Sequence, residues 1–292
     1  MIRSCPACGG SGEKRFPSNV VEAKFSATTF ASRKSPELMH HSLALCQVCS
    51  SLFVETLPNS KELIQNYVEA SFDSQVESEF AAKTYVKYLA KLKLLRGKKV
   101  LDIGCGDGTF LKLALLSGAS SVLGVEPSRG ALSSAGEMKG FIREESIESC
   151  NFGEDFDLVT CFQTLEHLSR PAETLSIMSS AIAEGGYIAV VCHDRLSIVN
   201  RLLGRKSPIF DIEHLQMFSR DGLEALIRRA GFDVIHSKSI MNRYPLGYWL
   251  RLIPLPRRLK SLVERFRRST ILSLPISLLV GNVLIVAKRN QC

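Results

Sequence analysis

The sequence predicts an α/β fold in which a largely parallel sheet is covered by helices on both faces. From Lys99 to Cys192, short apolar segments alternate with segments whose apolar residues recur at helical spacing. Such an alternation forms a parallel sheet, because each helix crosses one face of the sheet between consecutive strands. The second observation is the glycine-rich turn Gly104–Gly108, which follows the first apolar segment directly. Open α/β sheets bind their ligands at turns of this kind.

Each element of the alternation can be assigned in chain order. The predicted strands are Lys99–Ile103, Ser121–Glu126, Gly140–Arg143, Phe156–Phe162 and Gly186–Cys192. The helices between them are predicted at Thr109–Ser117, Ser128–Met138 and Ala172–Ala183. A further helix is expected to begin after the N-cap residue Ser219 and to stop at Gly231. The strands Phe232–Ile240 and Gly281–Arg289 complete the set.

We divide the chain into three parts: a small module at 1–57, a helical linker at 58–96 and the main domain at 97–292. The linker contains two segments, 60–72 and 76–95, with helical spacing of apolar residues. Two insertions interrupt the main domain, at 193–218 and at 241–279.

An uncharged run at 271–287 raises the alternative of a membrane-spanning helix. Its 17 residues approach the length that crosses a bilayer. Pro275, Gly281 and Asn282 break the run, and two serines add polar groups. We therefore expect a short helix followed by a buried strand.

Two CxxC pairs, Cys5/Cys8 and Cys46/Cys49, lie in the N-terminal module. Each pair can offer two thiolates from one tight turn, and two such turns complete the tetrahedral ligand set of a structural Zn²⁺. A disulfide is disfavoured without a secretory signal, and a redox role needs only one pair. We expect a zinc-ribbon-like module whose metal holds the fold, with His40 or His41 as a less favoured replacement for one cysteine.

The composition is that of a folded protein that acts in the cytoplasm. The first residues contain no apolar signal-peptide core, and nine cysteines without such a signal indicate reduced thiols or metal ligands. The net charge is +8, but the stretch from Arg243 to the end contains ten Lys/Arg and one acid. The body is therefore near neutral, which argues against a nucleic-acid-binding surface. The basic end favours contact with a phosphate, a polyanion or a membrane face.

The glycine-rich turn discriminates between classes of nucleotide ligand. Dinucleotide-binding turns have the spacing GxGxxG, whereas this turn reads Gly104-x-Gly106-x-Gly108. Asp102 precedes the turn on the strand, where a carboxylate repels a pyrophosphate and suits a ligand with positive charge. No Gly-Lys-Ser/Thr follows, which excludes a P-loop. Glu126, at the tip of the second strand, offers a bidentate acceptor that matches the vicinal diol of a ribose.

With these residues the sequence resembles the class I S-adenosylmethionine-dependent methyltransferases. The resemblance is carried, in this order, by VLDIGCGDGTFL, VLGVEPS, FDLVTCFQTLEHLSRP and GGYIAVV, and it continues through EHLQMFSRDGLEALIRRAGFDV. The last stretch and the four-cysteine module are typical of a bacterial branch of small-molecule and sugar methyltransferases. The resemblance implies a Rossmann-like, doubly wound sheet of seven strands whose last strand is antiparallel.

The resemblance also implies a set of contacts with S-adenosylmethionine. Asp102 would anchor its charged end, and the backbone of Gly104, Gly106 and Gly108 would lie against its methionine part. Glu126 would hold the ribose. Glu145, or Ser146 in the neighbouring register, would lie near the adenine, and Gln163 would face the adenosyl group.

Methyl transfer to a hydroxyl or to an acidic carbon requires a base, whereas the sulfonium donor is already activated. Three histidines, expected near the strand tips or in the first insertion, are candidates: His167, His193 and His214. Each could instead have a structural role. Glu166 and His167, together with another acid, could alternatively bind a divalent metal.

The predicted function is methyl transfer to a small molecule, with a sugar or another cell-surface glycan precursor as the first choice. A quinone-like or lipid acceptor at the membrane is the alternative, and a non-enzymatic scaffold whose zinc module recruits a partner is the third hypothesis. The basic and apolar segment at 241–270 predicts peripheral contact with the inner membrane face, a lid over a substrate phosphate, or a solvated helix. A nucleic-acid acceptor is disfavoured by the near-neutral body.

Overall fold

The computed structural model of the protein describes residues 2–21, 29–30, 37–59, 65, 67–69, 75–153, 155–254, 256–266 and 269–290. The predicted linker segment at 60–72 lies largely outside these residues. The second linker segment, predicted at 76–95, is a helix from Gln75 to Lys91.

Strands and helices are numbered in chain order over the described residues. The strands are β1 (Gly12–Phe16), β2 (Leu43–Cys46), β3 (Leu52–Val54), β4 (Lys99–Ile103), β5 (Ser121–Val125), β6 (Ile142–Arg143), β7 (Phe156–Phe162), β8 (Ile182–His193), β9 (Gln216–Met217), β10 (Phe232–Pro245) and β11 (Pro275–Arg289). The α-helices are α1 (Gln75–Lys91), α2 (Thr109–Leu116), α3 (Arg129–Ser134), α4 (Pro171–Ala181), α5 (Ile198–Leu203), α6 (Arg220–Arg229), α7 (Leu246–Leu252), α8 (Arg257–Arg265) and α9 (Thr270–Ser273).

The main sheet has seven strands in the order β10-β11-β8-β7-β4-β5-β6. Strands β4 to β8 pair in parallel, while β11 is antiparallel to both β8 and β10. The predicted seven-stranded sheet with an antiparallel last strand is therefore confirmed. The order reverses at β4, so that the tips of β4, β5 and β7 border one crevice, which is where such sheets bind ligands.

Helices cover both faces of this sheet, because successive side chains of a strand point to opposite sides. On β4, Leu101 and Ile103 pack in one core cluster with residues of α4 and α6. Val100 packs in the other cluster with residues of α1 and α2. All three side chains are almost fully buried. The continuous apolar strands of the sequence thus reflect burial on both faces.

Some predicted boundaries change for local reasons. The helix predicted at Ser128–Met138 divides into α3 and a 3₁₀ helix at Gly136–Phe141, where Gly136 adopts a φ of 54°. The third strand is consequently shortened to β6. By contrast, α6 follows the prediction, since the Ser219 side chain accepts a hydrogen bond from the backbone of Gly222 and Gly231 has a φ of 86°.

The last two strands are longer than predicted. β10 and β11 continue beyond the sheet as an antiparallel hairpin that reaches the pair Pro245↔Pro275. The insertion predicted at 241–279 therefore begins and ends within strands, and α7, α8 and α9 close the hairpin. The uncharged run at 271–287 forms the end of α9 and most of β11, as a short helix and a strand. Among the described helices, none has both the length and the apolar character to cross a membrane.

The N-terminal strands form a second sheet in the order β1-β2-β3-β9. Its fourth strand comes from the first insertion, through the pairs Leu52↔Met217 and Phe53↔Gln216. Phe53 is fully buried and belongs to the same core cluster as Leu101 of the main sheet. The module predicted at 1–57 and the insertion at 193–218 are thus joined by backbone pairing and by a common core.

Candidate active site

A cavity of about 700 Å³ lies at the carboxyl ends of β4, β5, β7 and β8. One part of its wall, which we call the turn side, is formed by the tips of β4 and β5 and the loops that follow them. The other part, the histidine side, is formed by the ends of β7 and β8, the insertion at 193–218, the hairpin and α7. Helix α1 contributes Ser78, Ala82 and Tyr85. The volume is within the range of small-molecule sites.

The glycine-rich turn forms part of the turn side of the cavity, and only a glycine fits at its first glycine position. Gly104 has a φ of 73°, and a Cβ atom there would lie 2.4 Å from the Thr164 hydroxyl oxygen. The backbone amides of Gly104 and Cys105 both donate to the Val125 carbonyl, which ties the turn to the end of β5. Gly106 and Gly108 also have positive φ, of 57° and 73°. The turn backbone can therefore approach a ligand closely.

Asp102 lies on β4 just before the turn and is only 3% exposed. Its Oδ1 atom accepts a hydrogen bond of 2.6 Å from the Thr160 hydroxyl on β7. Burial raises the pKa of Asp102 to about 7, and the Thr160 hydrogen bond opposes this shift. A buried carboxyl group that faces a cavity is ionised most easily when a cation enters, which fits the predicted contact with the charged end of the ligand.

Glu126 follows β5, and backbone amides hold both of its oxygens. Oε2 accepts a hydrogen bond from the Gly106 amide and Oε1 accepts one from the Ser128 amide, each at 2.9 Å. Burial raises the pKa of Glu126, and these two amides oppose the shift. Because a carboxylate oxygen has two acceptor positions, the fixed group keeps capacity for the two hydroxyls of a ribose.

The residues predicted near the adenosyl group differ in placement. Ser146 lines the cavity, whereas Glu145 is absent from the described lining and places Oε1 3.9 Å from the Arg143 guanidinium. Of the two alternatives for the adenine-side position, we therefore favour Ser146 over Glu145. Gln163 lines the cavity with a φ of 54°, and its Nε2 atom is buried without a hydrogen-bond partner in the described part of the protein. Unpaired donors of this kind are costly unless a ligand satisfies them.

The three histidines that the sequence proposes as bases meet on the histidine side. The ring centroids of His167 and His214 are 4.7 Å apart, and those of His193 and His214 are 5.6 Å apart. The three come from the loop after β7, the end of β8 and the first insertion, and all line the cavity.

His167 has the contacts that a general base needs. Its Nδ1 atom lies 3.2 Å from the Glu213 carbonyl oxygen, which can only accept a hydrogen bond, so we assign the proton to Nδ1. The Tyr67 hydroxyl lies 3.0 Å from the same nitrogen and donates to the same carbonyl. Nε2 then carries the lone pair, and the Glu213 carboxylate, 4.0 Å from Nδ1, can stabilise an imidazolium.

The other two histidines are weaker candidates for the base. Burial, reinforced by His214, lowers the pKa of His193 to about 3, which makes it a poor proton acceptor near neutral pH. His214 is 8% exposed, and its Nδ1 atom lies 2.8 Å from the Ile209 carbonyl oxygen within its own loop. The His214 ring packs directly against His167, and the His193 ring packs against His214.

A buried carboxyl group lies behind His167. Glu166 is 2% exposed. Burial raises the pKa of Glu166 to about 7, an effect partly opposed by the Cys192 thiol. Ligand atoms of Glu166, His167 and His214 all lie within 4.8 Å of one another. A metal site here would thus have a histidine in place of the second acid that the sequence analysis names.

Gln216 of β9 fixes the loop that carries Glu166 and His167. Its side-chain amide donates to the carbonyls of Leu165, Glu166 and Leu168 at 2.7–3.1 Å. Its Oε1 atom accepts from Arg3, at the start of the chain. Sequence reasoning missed this residue, because only the β3–β9 pairing shows that the N-terminal sheet supports the loop.

Aromatic rings cluster on the histidine side where the hairpin meets α7. Tyr244 lies with its ring centroid 4.5 Å from that of Tyr248 and 5.2 Å from that of Trp249. Two buried amide side chains accompany them: Asn242, whose Oδ1 has no hydrogen-bond partner in the described residues, and Asn282, whose side chain contacts His193. All five side chains line the cavity.

Acidic side chains outnumber basic ones in the cavity wall. Seven carboxyl side chains line it, and Arg170 is the only Lys or Arg among its described lining residues. Arg170 is also paired with Glu173 at 3.2 Å. The seven are Asp102, Asp107, Glu126, Glu148, Glu173, Asp211 and Glu213. Such a wall attracts a cationic ligand and repels phosphate groups.

The four N-terminal cysteines are arranged as a metal site requires. The Sγ atoms of Cys8 and Cys46 are 3.4 Å apart, and those of Cys5 and Cys49 are 3.7 Å apart. A tetrahedral zinc site with bonds of about 2.3 Å separates its sulfurs by about 3.8 Å. Backbone amides donate to the sulfurs of Cys8 and Cys46, which favours thiolates. The residues therefore fit the predicted ion, which would stabilise the module without an open coordination position.

Comparison with known families decides the class of this site. A family described as a methyltransferase domain matches residues 72–237, more than half of the chain. The chain belongs to this family. This family membership agrees with the methyltransferase class that the glycine-rich turn, Asp102 and Glu126 predict, and it does not favour the scaffold hypothesis.

Two proteins of similar sequence have names that indicate different acceptors. A tRNA U34 carboxymethyltransferase of Ectopseudomonas mendocina (strain ymp) is 24% identical over 198 residues, which cover 63% of this chain and 62% of the relative. A ubiquinone biosynthesis O-methyltransferase of Thiobacillus denitrificans (strain ATCC 25259 / T1) is 34% identical over 103 residues, 32% of this chain and 44% of the relative. In both cases the match spans less than two thirds of the relative's length.

A solved structure extends the likeness of fold. The [4+2]-cyclase SpnF is similar with a TM-score of 0.52 at 16% identity, over 75% of this chain and 85% of that one. A likeness at this identity shows the fold alone, and the reaction must be argued from the residues of the site.

Proposed function

We propose that this methyltransferase methylates a hydroxyl group of an uncharged, ring-containing small molecule, with His167 as the base. The observation that carries the proposal is the joint arrangement of the cavity wall. The turn side has the acids and glycines that suit S-adenosylmethionine, and the histidine side has a polarised imidazole beside aromatic rings. The acceptor would therefore bind on the histidine side.

The chain's own residues would perform three tasks in the reaction. When bound, S-adenosylmethionine supplies a methyl group on a sulfonium. Asp102 and Glu126 would hold the donor. His167 would accept the proton of the acceptor hydroxyl at Nε2 as that hydroxyl is methylated. Tyr67 and Glu213 keep the ring oriented and stabilise the imidazolium until the proton returns to water.

The negative wall supports an acceptor without phosphate. Seven carboxyl groups and one paired arginine would repel a nucleotide-sugar, a lipid diphosphate or a tRNA at this cavity. The arginines of the predicted lid do not change this balance, because those whose side chains are described are not among the lining residues, and Arg251 pairs with Glu77 at 2.9 Å.

A phenolic or quinol-like ring is the acceptor that the aromatic cluster favours. Tyr244, Tyr248 and Trp249 present ring faces and edges to the cavity, and such pairs stabilise an aromatic ligand beyond simple burial. The named activity of the Thiobacillus relative, ubiquinone biosynthesis O-methylation, is consistent with this class. Its match covers one third of the chain, and the acceptor therefore remains our proposal.

A neutral sugar is the second candidate, because a buried amide oxygen on the histidine side lacks a partner. Oδ1 of Asn242 lines the cavity without a hydrogen-bond donor among the described residues. A hydroxyl group of a sugar ring would donate to it.

A labelled-methyl assay separates these acceptor classes. Purified full chain is incubated with methyl-labelled S-adenosylmethionine and a catechol, a neutral monosaccharide, a nucleotide-sugar or unmodified tRNA. We expect transfer to the catechol, reduced by His167→Ala and unaffected by His236→Ala, a matched histidine on β10 outside the cavity. Transfer to the monosaccharide alone would select the second candidate. A preference for the nucleotide-sugar or for tRNA would contradict the charge argument.

We also propose that Cys5, Cys8, Cys46 and Cys49 hold one structural Zn²⁺. Metal analysis of the purified chain is expected to give one zinc per chain, and Cys46→Ser to lose the metal and lower thermal stability. Cys150→Ser, which alters a buried cysteine outside the cluster, is the control. Full zinc content in Cys46→Ser would exclude this site.

A further inference from the structure

The end of the hairpin and its three helices form a projecting unit, which we call the C-terminal cap (residues 241–280). Its parts are tied together by backbone contacts. The Leu246 amide donates to the Leu274 carbonyl, and the Trp249 indole nitrogen donates to the Ile276 carbonyl, each at 2.9 Å. These two hydrogen bonds connect α7 to the end of α9 and to the start of β11.

Exposed apolar side chains are concentrated on this cap. Of the 18 large hydrophobic residues that are exposed in the described chain, eight lie between Ile253 and Leu279. They are Ile253, Leu259, Phe266, Ile271, Leu274, Ile276, Leu278 and Leu279. In β11, the stretch Pro275–Leu279 is exposed throughout, whereas Gly281–Ala287 is buried in the main sheet. The change from buried to exposed occurs within one strand, where the strand leaves the sheet.

The same region carries a strong positive charge. Residues 251–268 contain seven Lys/Arg and one acid, Glu264. Arg258 and Arg265 are exposed on α8, next in sequence to the exposed Leu259 and Phe266. The body of the protein is near neutral, and the charge excess therefore coincides with the apolar surface.

We propose that the C-terminal cap binds the surface of an anionic phospholipid bilayer. Exposed apolar side chains can enter the boundary between headgroups and acyl chains, while arginines contact the lipid phosphates. A face that docked against an ordinary protein surface would need apolar area but no excess of six positive charges. The combination of the two favours anionic lipid over a second copy of the chain.

The cap also forms part of the cavity wall. Tyr248, Trp249 and Leu252 of α7 line the cavity, and Tyr244 of β10 packs against two of them. Binding at the cap would therefore hold the histidine side of the cavity next to the bilayer. This inference stands on the cap alone and does not depend on the identity of the acceptor.

Sedimentation with vesicles tests the proposal without any acceptor or cofactor. The full chain is mixed with vesicles of phosphatidylglycerol and phosphatidylcholine in equal parts, or of phosphatidylcholine alone. The apolar variant is Ile271→Ser with Leu279→Ser, and the charge variant is Arg258→Glu with Arg265→Glu. Matched controls are Leu116→Ser with Leu202→Ser and Lys87→Glu with Lys139→Glu, which alter exposed residues elsewhere. S-adenosylmethionine binding by calorimetry confirms that each variant is folded.

We expect the wild type to bind the anionic vesicles. Each cap variant should bind them roughly tenfold or more weakly, and the control variants should bind like the wild type. High salt should weaken the wild type, and the residual binding should depend on the apolar residues. Absence of sedimentation, equal binding to both vesicle types, or equal binding by the cap variants would overturn the proposal. A concentration-dependent dimer that the cap variants abolish, without vesicle binding, would instead assign this face to self-association.

Discussion

The two sides of the cavity are built in different ways. On the turn side, Asp102, the glycines and Glu126 lie within 25 residues of sequence, on adjacent strands that pair residue by residue. On the histidine side, Tyr67, His167, His193, His214 and Tyr248 come from five separate parts of the chain. The turn side is thus fixed by local backbone geometry. The histidine side depends on long-range packing of an insertion, a hairpin and the N-terminal sheet.

This difference separates binding of the donor from recognition of the acceptor. The turn side contains the groups that we assign to S-adenosylmethionine. The histidine side contains the groups that we assign to the acceptor. Substitutions on the two sides should therefore have separable effects on donor affinity and on turnover.

The largest expected effect is on the turn side, at Gly104. In Gly104→Ala, the new Cβ would lie 2.4 Å from the Thr164 hydroxyl, at a φ of 73° that disfavours side chains. We expect loss of measurable S-adenosylmethionine binding by calorimetry. Gly140→Ala is the control, since a Cβ there meets no atom within 4 Å. Normal binding by Gly104→Ala would show that the turn can rearrange.

The next effect is on the histidine side, at His167. His167→Ala should lower kcat by roughly 10²- to 10⁴-fold, the range of a general base, with the Kd of S-adenosylmethionine unchanged. Tyr67→Phe, which removes only the hydroxyl beside Nδ1, should give a smaller loss. Steady-state kinetics with the acceptor found in the labelled-methyl assay measures both. A different outcome would contradict the role of His167 as a base. If a divalent metal raised the turnover of the wild type and a chelator abolished that turnover, a metal site at Glu166, His167 and His214 would explain the activity better.

The pH dependence of donor binding reports on Asp102. Its raised pKa, about 7, means that the carboxyl group of the free protein is mostly protonated at pH 6 and mostly ionised at pH 8. The affinity for a cationic ligand should therefore rise by roughly tenfold between these pH values, and Asp102→Asn should bind weakly with a flatter profile. Calorimetry at several pH values makes the comparison. An equally steep profile in Asp102→Asn would assign the titration to another group.

The smallest effect is expected at Gln216, which holds the His167 loop without touching the cavity. Gln216→Ala removes donors to three carbonyls and should reduce stability by about 1–3 kcal/mol and lower kcat several-fold. Donor affinity should stay constant. Gln216→Glu keeps the acceptor for Arg3 but loses the donors, so it should resemble Gln216→Ala. Full turnover in both variants, measured at saturating acceptor, would remove Gln216 from the positioning of His167.

The same contrast explains what the sequence could predict. The strands and the candidate residues of the turn side follow from local patterns, namely glycine spacing and alternating elements, whereas the antiparallel last strand was implied by the family resemblance. The choice between Glu145 and Ser146 stayed open because both follow a strand of only two residues, where no periodicity fixes the register. His167, His193 and His214 were recognisable as candidates, but their proximity depends on how the insertion folds. Gln216 and the extension of β10 and β11 carry no local signal, since both depend on pairing between distant segments.

The central claim is that donor binding belongs to the turn side and that catalysis belongs to the histidine side. Titration of S-adenosylmethionine into Glu126→Ala and into His167→Ala tests it most directly. We predict that Glu126→Ala binds at least roughly tenfold more weakly than the wild type, because it loses the acceptor of the ribose hydroxyls. His167→Ala should bind like the wild type. Unchanged binding by Glu126→Ala, or an equal loss in both variants, would contradict the account.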